Sequence, residues 1–456
     1  MSRRAIRQPK YNLLSGDGRL LMGSISKSVM GQIVVFVLLV PVARSQQLSS
    51  NERELADSML KQISSDVQHE YYDAKLHGLD WNALVLQARQ RIAKAPDVTV
   101  ANADIAALLE SLNDSHTFFE PPRYLKTVDY GWKFQMFGER CYVTEVSSGS
   151  DAEKKGMNPG DEVFTIDGFE VERDSIARMQ YTMNVLVPTS GLRVELRKPA
   201  GKVERLDVAS AVVANEAVTG LGGSTIDTYW HRLGEEKNWD RLRPQYKELG
   251  PELMILQVPA FVQTGLEVDE LFKKARNHKT LIIDLRGTPG GSVDSLLAYL
   301  GEVFDHDFKV SDLVTRNNTK PLMVKGNRHE AFSGKLIVLI DSQSASAAEI
   351  FSRVVQLERR GTILGDCSSG MVMEAQQFLH QLASNVTYTY VDSITVADMI
   401  MSDGKSLERT GVMPDKILLP TATDLSNKLD SILSEAAREA GVALSPEDAG
   451  KLFRKQ

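Results

Sequence analysis

The sequence predicts an α/β protein in which a helical N-terminal region and a small β-rich domain precede a layered α/β domain. Three observations predict it. Apolar residues recur every three or four positions in "ADSMLKQISSDV" and "WNALVLQARQRIA", the spacing of an amphipathic helix. Residues 128–213 break into short strand-like runs punctuated by Gly and Pro, among them "RCYVTEV", "GMNPGDEVFTIDG" and "LRVELRKPAGKVERLDV". Further on, "LMILQVPAF", "TLIIDLRG", "KLIVLID" and "TILG" are near-continuous apolar runs, and "SVDSLLAYLGEVF" and "SAAEIFSRVVQLE" between them have helical spacing. Apolar runs of that kind belong to sheets buried on both faces. With 42% apolar and 25% charged residues over 456 positions, the composition supports two or three separate cores and is not that of a disordered chain.

The first 45 residues read as an address rather than as part of the fold. Arg3, Arg4, Arg7, Lys10, Arg19, Lys27 and Arg44 stand against one acid, Asp17, and an uncharged apolar run covers residues 33–43. That run is shorter than the roughly 20 residues a membrane span needs, and Ala43 and Ser45 put small residues where a signal peptidase reads. The expectation is a secretory signal peptide cleaved after Ser45, with an uncleaved membrane anchor as the alternative. Without the leader the formal charge moves from −7 to about −13. An acidic chain without a basic cluster is a poor nucleic-acid binder. Cys141 and Cys367 can form one disulfide in an oxidising compartment or stay as two separate thiols, and neither has metal-ligand spacing. No metal or cofactor site is legible.

The expected boundaries are 46–127 for the helical region, 128–213 for the β-rich domain, 214–424 for the layered α/β domain and 425–456 for a C-terminal helical tail. The helical region ends in "LNDSHTFFEPPR", where two prolines stop any helix. Within the β-rich domain, "GSDAEKKGMNPGDEVFTIDGFEV" resembles the helix, turn and strand of a PDZ domain. That resemblance implies an open sheet edge to which an extended peptide adds as a strand. The edge falls near "YGWKFQM", with Tyr130, Gly131, Trp132, Lys133 and Phe134 as the peptide-binding candidates.

Two places in the layered domain look chemical. In "DLRGTPGGS" a buried strand runs into Gly287, Pro289, Gly290 and Gly291, where backbone amides are free of side chains and can meet a developing oxyanion. In "VLIDSQSASAAEIF" a strand stops at Asp341 and a helix begins near residues 345–347, so a serine there sits at a helix N-terminus that favours negative charge. A serine in that position is more often simply a cap.

Taken together, "LIIDLRGTPGGSVDSL", "VLIDSQSASAAEIFSRVVQLERRGTILGD" and the closing "GVMPD" resemble the C-terminal processing peptidases, or tail-specific proteases, a family of serine peptidases. The resemblance runs from about Leu55 to Leu419 and implies a crotonase-like core of stacked ββα units. On the family pattern the nucleophile is Ser346, Ser342 and Ser344 are capping or packing residues, and the oxyanion donors are the amides of Gly291 and Ala347. The lysine that follows the nucleophile in this family aligns with Met371, and no lysine occurs between Lys335 and Lys405. A thioether takes no proton at neutral pH, so the Ser-Lys dyad is absent.

The tricorn core protease branch implies a replacement, a histidine preceded by serine and oriented by a glutamate in a late loop. Here Ser115-His116 and Glu408 match, with Glu374 and Asp403 as nearby alternatives to the glutamate. An imidazole with an ordinary pKa of about 6.5 suits proton transfer near neutrality. His69, His77, His231, His278, His306, His329 and His380 sit in polar surroundings and read as surface residues. The resemblance therefore implies an exported serine endopeptidase that captures exposed tails through its PDZ-like domain. The competing reading is a catalytically inactive pseudoprotease that binds peptides. A crotonase-type hydratase fits neither the leader nor the β-rich insert.

Overall fold

Capped helices open the structure. A computed structural model describes residues 48–122, 126–214, 242–383 and 387–453, so the expected leader and the linker segment 215–241, with His231, lie outside the described residues. Helix α1 (Ser50–Glu70) starts at Ser49, whose side chain and Glu52 form a reciprocal capping box. Asp80 and Asp97 cap α2 (Trp81–Ile92) and α3 (Val98–Glu110), each accepting from a backbone amide of the first turn. Ala56, Met59, Leu60, Ile63 and Val67 make the buried stripe of α1, three or four residues apart, as the sequence periodicity required. No helix among the described residues is long and apolar enough to cross a membrane.

Strand β1 (Phe118–Glu120) follows the helices directly. After it, β2 (Lys126–Asp129) pairs with β9 (Ala211–Ala214), so entry and exit of the next unit are stitched together. Between them lie β3 (Trp132–Phe137), β4 (Arg140–Val146), α4 (Asp151–Lys154), β5 (Glu162–Ile166), β6 (Phe169–Glu170), α5 (Ile176–Tyr181), β7 (Gly191–Arg197) and β8 (Val203–Ala209). The sheet order is β3-β4-β5-β7-β8 with β6 on β5, which leaves β3 at an edge. Its own apolar cluster, including Trp132, Phe134, Val143 and Val194, makes this a unit with a separate core.

The C-terminal half builds two further sheets. Strands β10 (Gln245–Leu249), β11 (Leu253–Gln257), β12 (Thr280–Asp284), β15 (Lys335–Ile340), β16 (Thr362–Gly365) and β19 (Lys416–Ile417) form one sheet in that order, parallel except for β10. Parallel neighbours need crossovers, supplied by α6 (Gly265–Ala275), α7 (Val293–Val303) and α8 (Ala347–Leu357). The strands follow one another across the sheet in one direction, so right-handed crossovers put all three helices on one face. Leu281, Ile283, Leu336, Val338 and Ile340 point to that face. Alternate residues Ile255, Ile282, Ile337, Leu339 and Leu364 point to the other, which is covered by the C-terminal helices α10 (Ser431–Glu439) and α11 (Pro446–Ala449) beyond the short α9 (Ala422–Asn427). Both faces are buried, which is why these strands read as uninterrupted apolar runs.

The second sheet is one the sequence did not announce. Its order is β1-β18-β13-β14, with β17 on β18, formed from β13 (Phe308–Thr315), β14 (Thr319–Val324), β17 (Met373–Ala383) and β18 (Thr387–Met401). Strand β18 carries the first helices on Tyr390 and Ile394 and reaches the main core through Met399 and Met401. The architecture is thus mixed α/β. Cys141 is buried and Cys367 half-buried, and both are free thiols, so the disulfide alternative is excluded.

Ile337 lies in the middle of the parallel sheet with no exposed surface. Truncating it to alanine leaves a cavity between the sheet and α10, and Ile337→Ala is expected to lose about 2–5 kcal/mol. Urea unfolding checks this, with a lower midpoint at an unchanged slope.

Candidate active site

Three loops leave the carboxyl ends of β12, β15 and β16 side by side, the place where open parallel sheets present backbone and side chains to ligands. They are tied to one another by name. Gly287 donates to Asp341 Oδ1 at 2.9 Å, Ala345 N–H to Thr288 O at 2.9 Å, and Ser369 N–H to Ser344 O at 2.9 Å.

The serines of the middle loop have separate jobs. Ser344 is fully buried, and its hydroxyl donates to Leu285 O at 2.8 Å while accepting from Asp341 N–H at 2.9 Å. Ser342 donates to Met136 O at 2.6 Å. Both hydroxyls are spent on structure. Ser346 differs. It precedes α8 with φ 53° and ψ −117°, a conformation that costs a non-glycine residue about 1–3 kcal/mol. A strained strand-to-helix turn of this kind lifts a serine Oγ clear of the sheet top.

What holds Ser346 there is visible. Its N–H donates to Met371 O at 2.9 Å and lies 3.1 Å from Glu349 Oε2, while its carbonyl accepts from Glu349 and Ile350 N–H. A Cβ on Gly290 would stand 2.6 Å from Ser346 Cβ and 3.1 Å from Ala347 N, and one on Gly291 would meet Phe261 O at 2.1 Å. Gly290 and Gly291, at φ 101° and 149°, are glycines because backbone passes where a side chain would be. The amides of Ala347 and Gly291 donate to no group among the described residues.

Residues 113–117 come from the other end of the chain and are pinned by Asp114. Its Oδ1 accepts from His116 N–H at 2.9 Å, Thr117 N–H at 2.7 Å and Thr395 Oγ1 at 2.7 Å, and its Oδ2 from the Tyr71 hydroxyl at 2.8 Å. Ser115 donates its N–H to Glu408 Oε1 and its hydroxyl to Oε2, each at 2.8 Å, and the same hydroxyl lies 2.7 Å from His116 Nδ1. A serine hydroxyl has one proton. Given to Glu408, it leaves Ser115 Oγ accepting from His116 Nδ1–H, which fixes the tautomer with the lone pair on Nε2. The glutamate thus reaches the histidine through Ser115 and not directly. Asp403 instead pairs with Arg353 at 2.5 Å, and Glu374 lies on β17 opposite Ala397.

Burial sets the charge states. His116 is packed so closely that desolvation lowers its pKa to about 4, opposed by nearby Asp114 and assisted by Arg409. Burial also raises Glu408, against the hydrogen bonds from Val372 N–H and Ser115.

The sequence reading missed Glu349. This carboxylate has no exposed surface and accepts from Ser368 Oγ at 2.6 Å, Gly370 N–H at 2.8 Å and Met371 N–H at 2.9 Å as well as facing Ser346 N–H. Desolvation raises it to about 7 despite these donors. Its signal was present, since Ser346-Ala-Ala-Glu349 is a capping-box pattern. Met371 and Val372 join the two halves of the site: Met371 bonds Ser346 and Glu349, and Val372 N–H donates to Glu408 Oε2 at 3.0 Å.

The peptide-binding candidates lie on and before β3. Tyr130 is buried with its hydroxyl on Met183 O, Gly131 has φ 71°, Trp132 and Phe134 pack their rings 5.0 Å apart in the core, and Lys133 is exposed beside Glu145. The next two residues of that strand touch the serine loop, Gln135 Nε2 at 2.8 Å from Asp341 Oδ2 and Met136 O under Ser342. One histidine departs from its surface reading. The His380 side chain is only 16% exposed and sits between Asp66 and Asp392, because α1 covers it.

Similar proteins are found both by sequence and by fold. The carboxy-terminal processing protease CtpA of Bacillus subtilis (strain 168) is 20% identical over 337 residues, 70% of this chain and 64% of that protein. The tail-specific protease of Haemophilus influenzae is 24% identical over 273 residues, 56% of this chain and 36% of that protein. The chain therefore spans less than two thirds of either relative's length. Mature CPAF, solved in complex with lactacystin, matches with a TM-score of 0.60 at 17% identity over 83% of this chain and 96% of its own. The photosystem II D1 C-terminal processing protease matches with a TM-score of 0.50 at 18% identity over 89% of this chain and 100% of its own. These two show a common fold. Residues 252–418, which carry the glycine loop, Ser346, Glu349, Met371 and Glu408, match the model of peptidase family S41.

Proposed function

We propose that the protein is an exported serine endopeptidase that takes extended protein tails on the edge of its PDZ-like sheet and hydrolyses them with Ser346, His116, Ser115 and Glu408. The observation that carries this reading is a strained Ser346 whose N–H is held by Met371 O, next to Val372, whose N–H holds the Glu408 of the Ser115–His116 relay. Met371 and Val372 bridge the two.

In this mechanism Ser346 Oγ attacks the scissile carbonyl carbon and its proton passes to His116 Nε2. The carbonyl oxygen becomes an oxyanion facing the unspent amides of Ala347 and Gly291, of which each such donor typically contributes about 10²–10³ in rate. The imidazolium then gives its proton to the leaving amine, the C–N bond breaks, and an acyl-serine remains. Water, deprotonated by the same Nε2, releases the acid and restores the hydroxyl. Glu408 supports the positive charge on His116 through Ser115, as the acid does in Ser-His-Asp triads. Glu349 holds the backbone of Ser346 and residues 370–371 in place.

Strand β3 supports the tail-binding part of the reading. It is an edge strand beside α5, whose Gln180 side chain reaches Phe134 O at 3.3 Å. Its end is held by the serine loop, so the part of the edge left for a tail is Trp132 and Lys133.

A serine-reactive fluorophosphonate should label the full chain at Ser346 and leave Ser346→Ala unlabelled and inactive, with its fold intact. Equal labelling of the alanine variant would move the nucleophile elsewhere. His116→Ala should lose at least about 10²–10⁴ in kcat/KM. Because burial favours the neutral imidazole, the base is ready at any pH above its lowered pKa. The acidic limb of kcat/KM should therefore lie below the ordinary histidine value, toward pH 4, and an activity indifferent to His116→Ala contradicts the assignment.

Ser346→Ala also serves for binding. A peptide with a free apolar C-terminus should bind it more tightly than the amidated peptide, measured by fluorescence anisotropy. Indistinguishable affinities would rule out carboxylate capture.

A further inference from the structure

Far from Ser346, three side chains from three elements converge on one point. His380 on β17 places Nε2 2.6 Å from Asp392 Oδ1 on β18 and 3.2 Å from Asp66 Oδ2 on α1. One ligand atom from each lies within 4.8 Å of the other two. Gln62 Nε2 donates to both oxygens of Asp66, at 3.0 and 3.1 Å, and the Tyr390 ring stacks on His380 at 4.9 Å. These neighbours fix the carboxylate and the imidazole in orientation.

The second observation concerns Asp392 itself. The residue has no exposed surface, and its Oδ2 has no hydrogen-bond partner. A buried carboxylate oxygen without a donor is rare and asks for a cation. One imidazolium proton shared by two carboxylates leaves the group at a net charge of −1. A neutral imidazole, two carboxylates and a dication sum to zero, and Oδ2, on the same carbon as Oδ1, can join the ion's shell.

We propose that Asp66, His380 and Asp392 bind one divalent transition-metal ion of the zinc class. An imidazole with two carboxylates suits zinc better than calcium or magnesium, which prefer all-oxygen shells. Ligand bonds of about 2.0–2.2 Å around a tetrahedral ion separate ligand atoms by roughly 3.4 Å, so the short His380–Asp392 contact opens and the His380–Asp66 contact hardly changes. Asp66 and His380 are each 16% exposed, which gives the ion a route from solvent. Bound there, it ties α1 to the β17–β18 hairpin. Asp392 is paired with Phe119 on β1, three residues from His116, so the same ion braces the strand that follows the His116 loop.

The test uses the full chain, stripped with a chelator, incubated with zinc chloride and desalted. Bound zinc is read by mass spectrometry and thermal stability by circular dichroism. One zinc per chain and a raised Tm are expected, because an ion that binds only the folded state stabilises it. Asp66→Asn and His380→Gln should each reduce retained zinc to background and abolish the Tm rise, whereas Cys367→Ser should keep both. Should His380→Gln fail to fold, Asp66→Asn decides alone, since Asp66 is a helix-surface position. A folded wild-type chain that retains no zinc, or variants that retain as much as wild type, would overturn the site.

Discussion

The backbone of Ser346 is the constraint on which the surrounding structure depends. An L-residue at φ 53° and ψ −117° stays there only when its neighbours leave no alternative. Three of them do so. Gly290 passes so close that any side chain would strike Ser346 Cβ, Met371 O takes the serine N–H, and Glu349 closes the turn from inside. The same turn leaves Ala347 N–H without an acceptor among the described residues.

Two buried carboxylates carry this arrangement outward. Glu349 and Glu408 hold neighbouring residues of one strap, the first through Met371 N–H and the second through Val372 N–H. Residue 371 is therefore bound by its backbone on both sides, whatever its side chain. That gives a physical account of methionine where the resemblance leads one to expect lysine. The strap keeps its structural task, and in the proposed reaction proton transfer falls to a histidine delivered from the N-terminal region, whose serine neighbour binds a glutamate 293 residues further on.

The parallel sheet was legible because both of its faces are buried, so Ile282, Ile337 and Leu339 alternate with Leu281, Leu336 and Val338 without a polar break. The glycine loop and the helix start were legible for the same local reason. Choosing Ser346 over Ser342 and Ser344 was not a matter of local physics. It came from the family resemblance, and the structure adds that the other two hydroxyls are engaged. The β17–β18 hairpin escaped notice because "QQFLHQL" mixes polar and apolar residues without clean alternation, and its stability comes from α1 and β1, distant in sequence. His380 was misread by the same blindness. Its surroundings in sequence are polar, but its partners Asp66 and Asp392 arrive from α1 and the facing strand.

The charge states of the site bear on how the proposed reaction works. Desolvation lowers His116 from about 6.5 to about 4, equivalent to a penalty of about 3 kcal/mol on the imidazolium in the resting protein. Taken alone, that weakens the base. Burial raises Glu408 as well, against its hydrogen bonds from Val372 N–H and Ser115. Attack by Ser346 creates an imidazolium and an oxyanion together, a pair whose attraction is strong where water is excluded. The amides of Ala347 and Gly291 meet the negative partner, and the Ser115–Glu408 relay meets the positive one. Burial that opposes a lone imidazolium thus strengthens every interaction with the ion pair. The cost falls on the ground state, and the compensation appears only as the bond to the substrate forms.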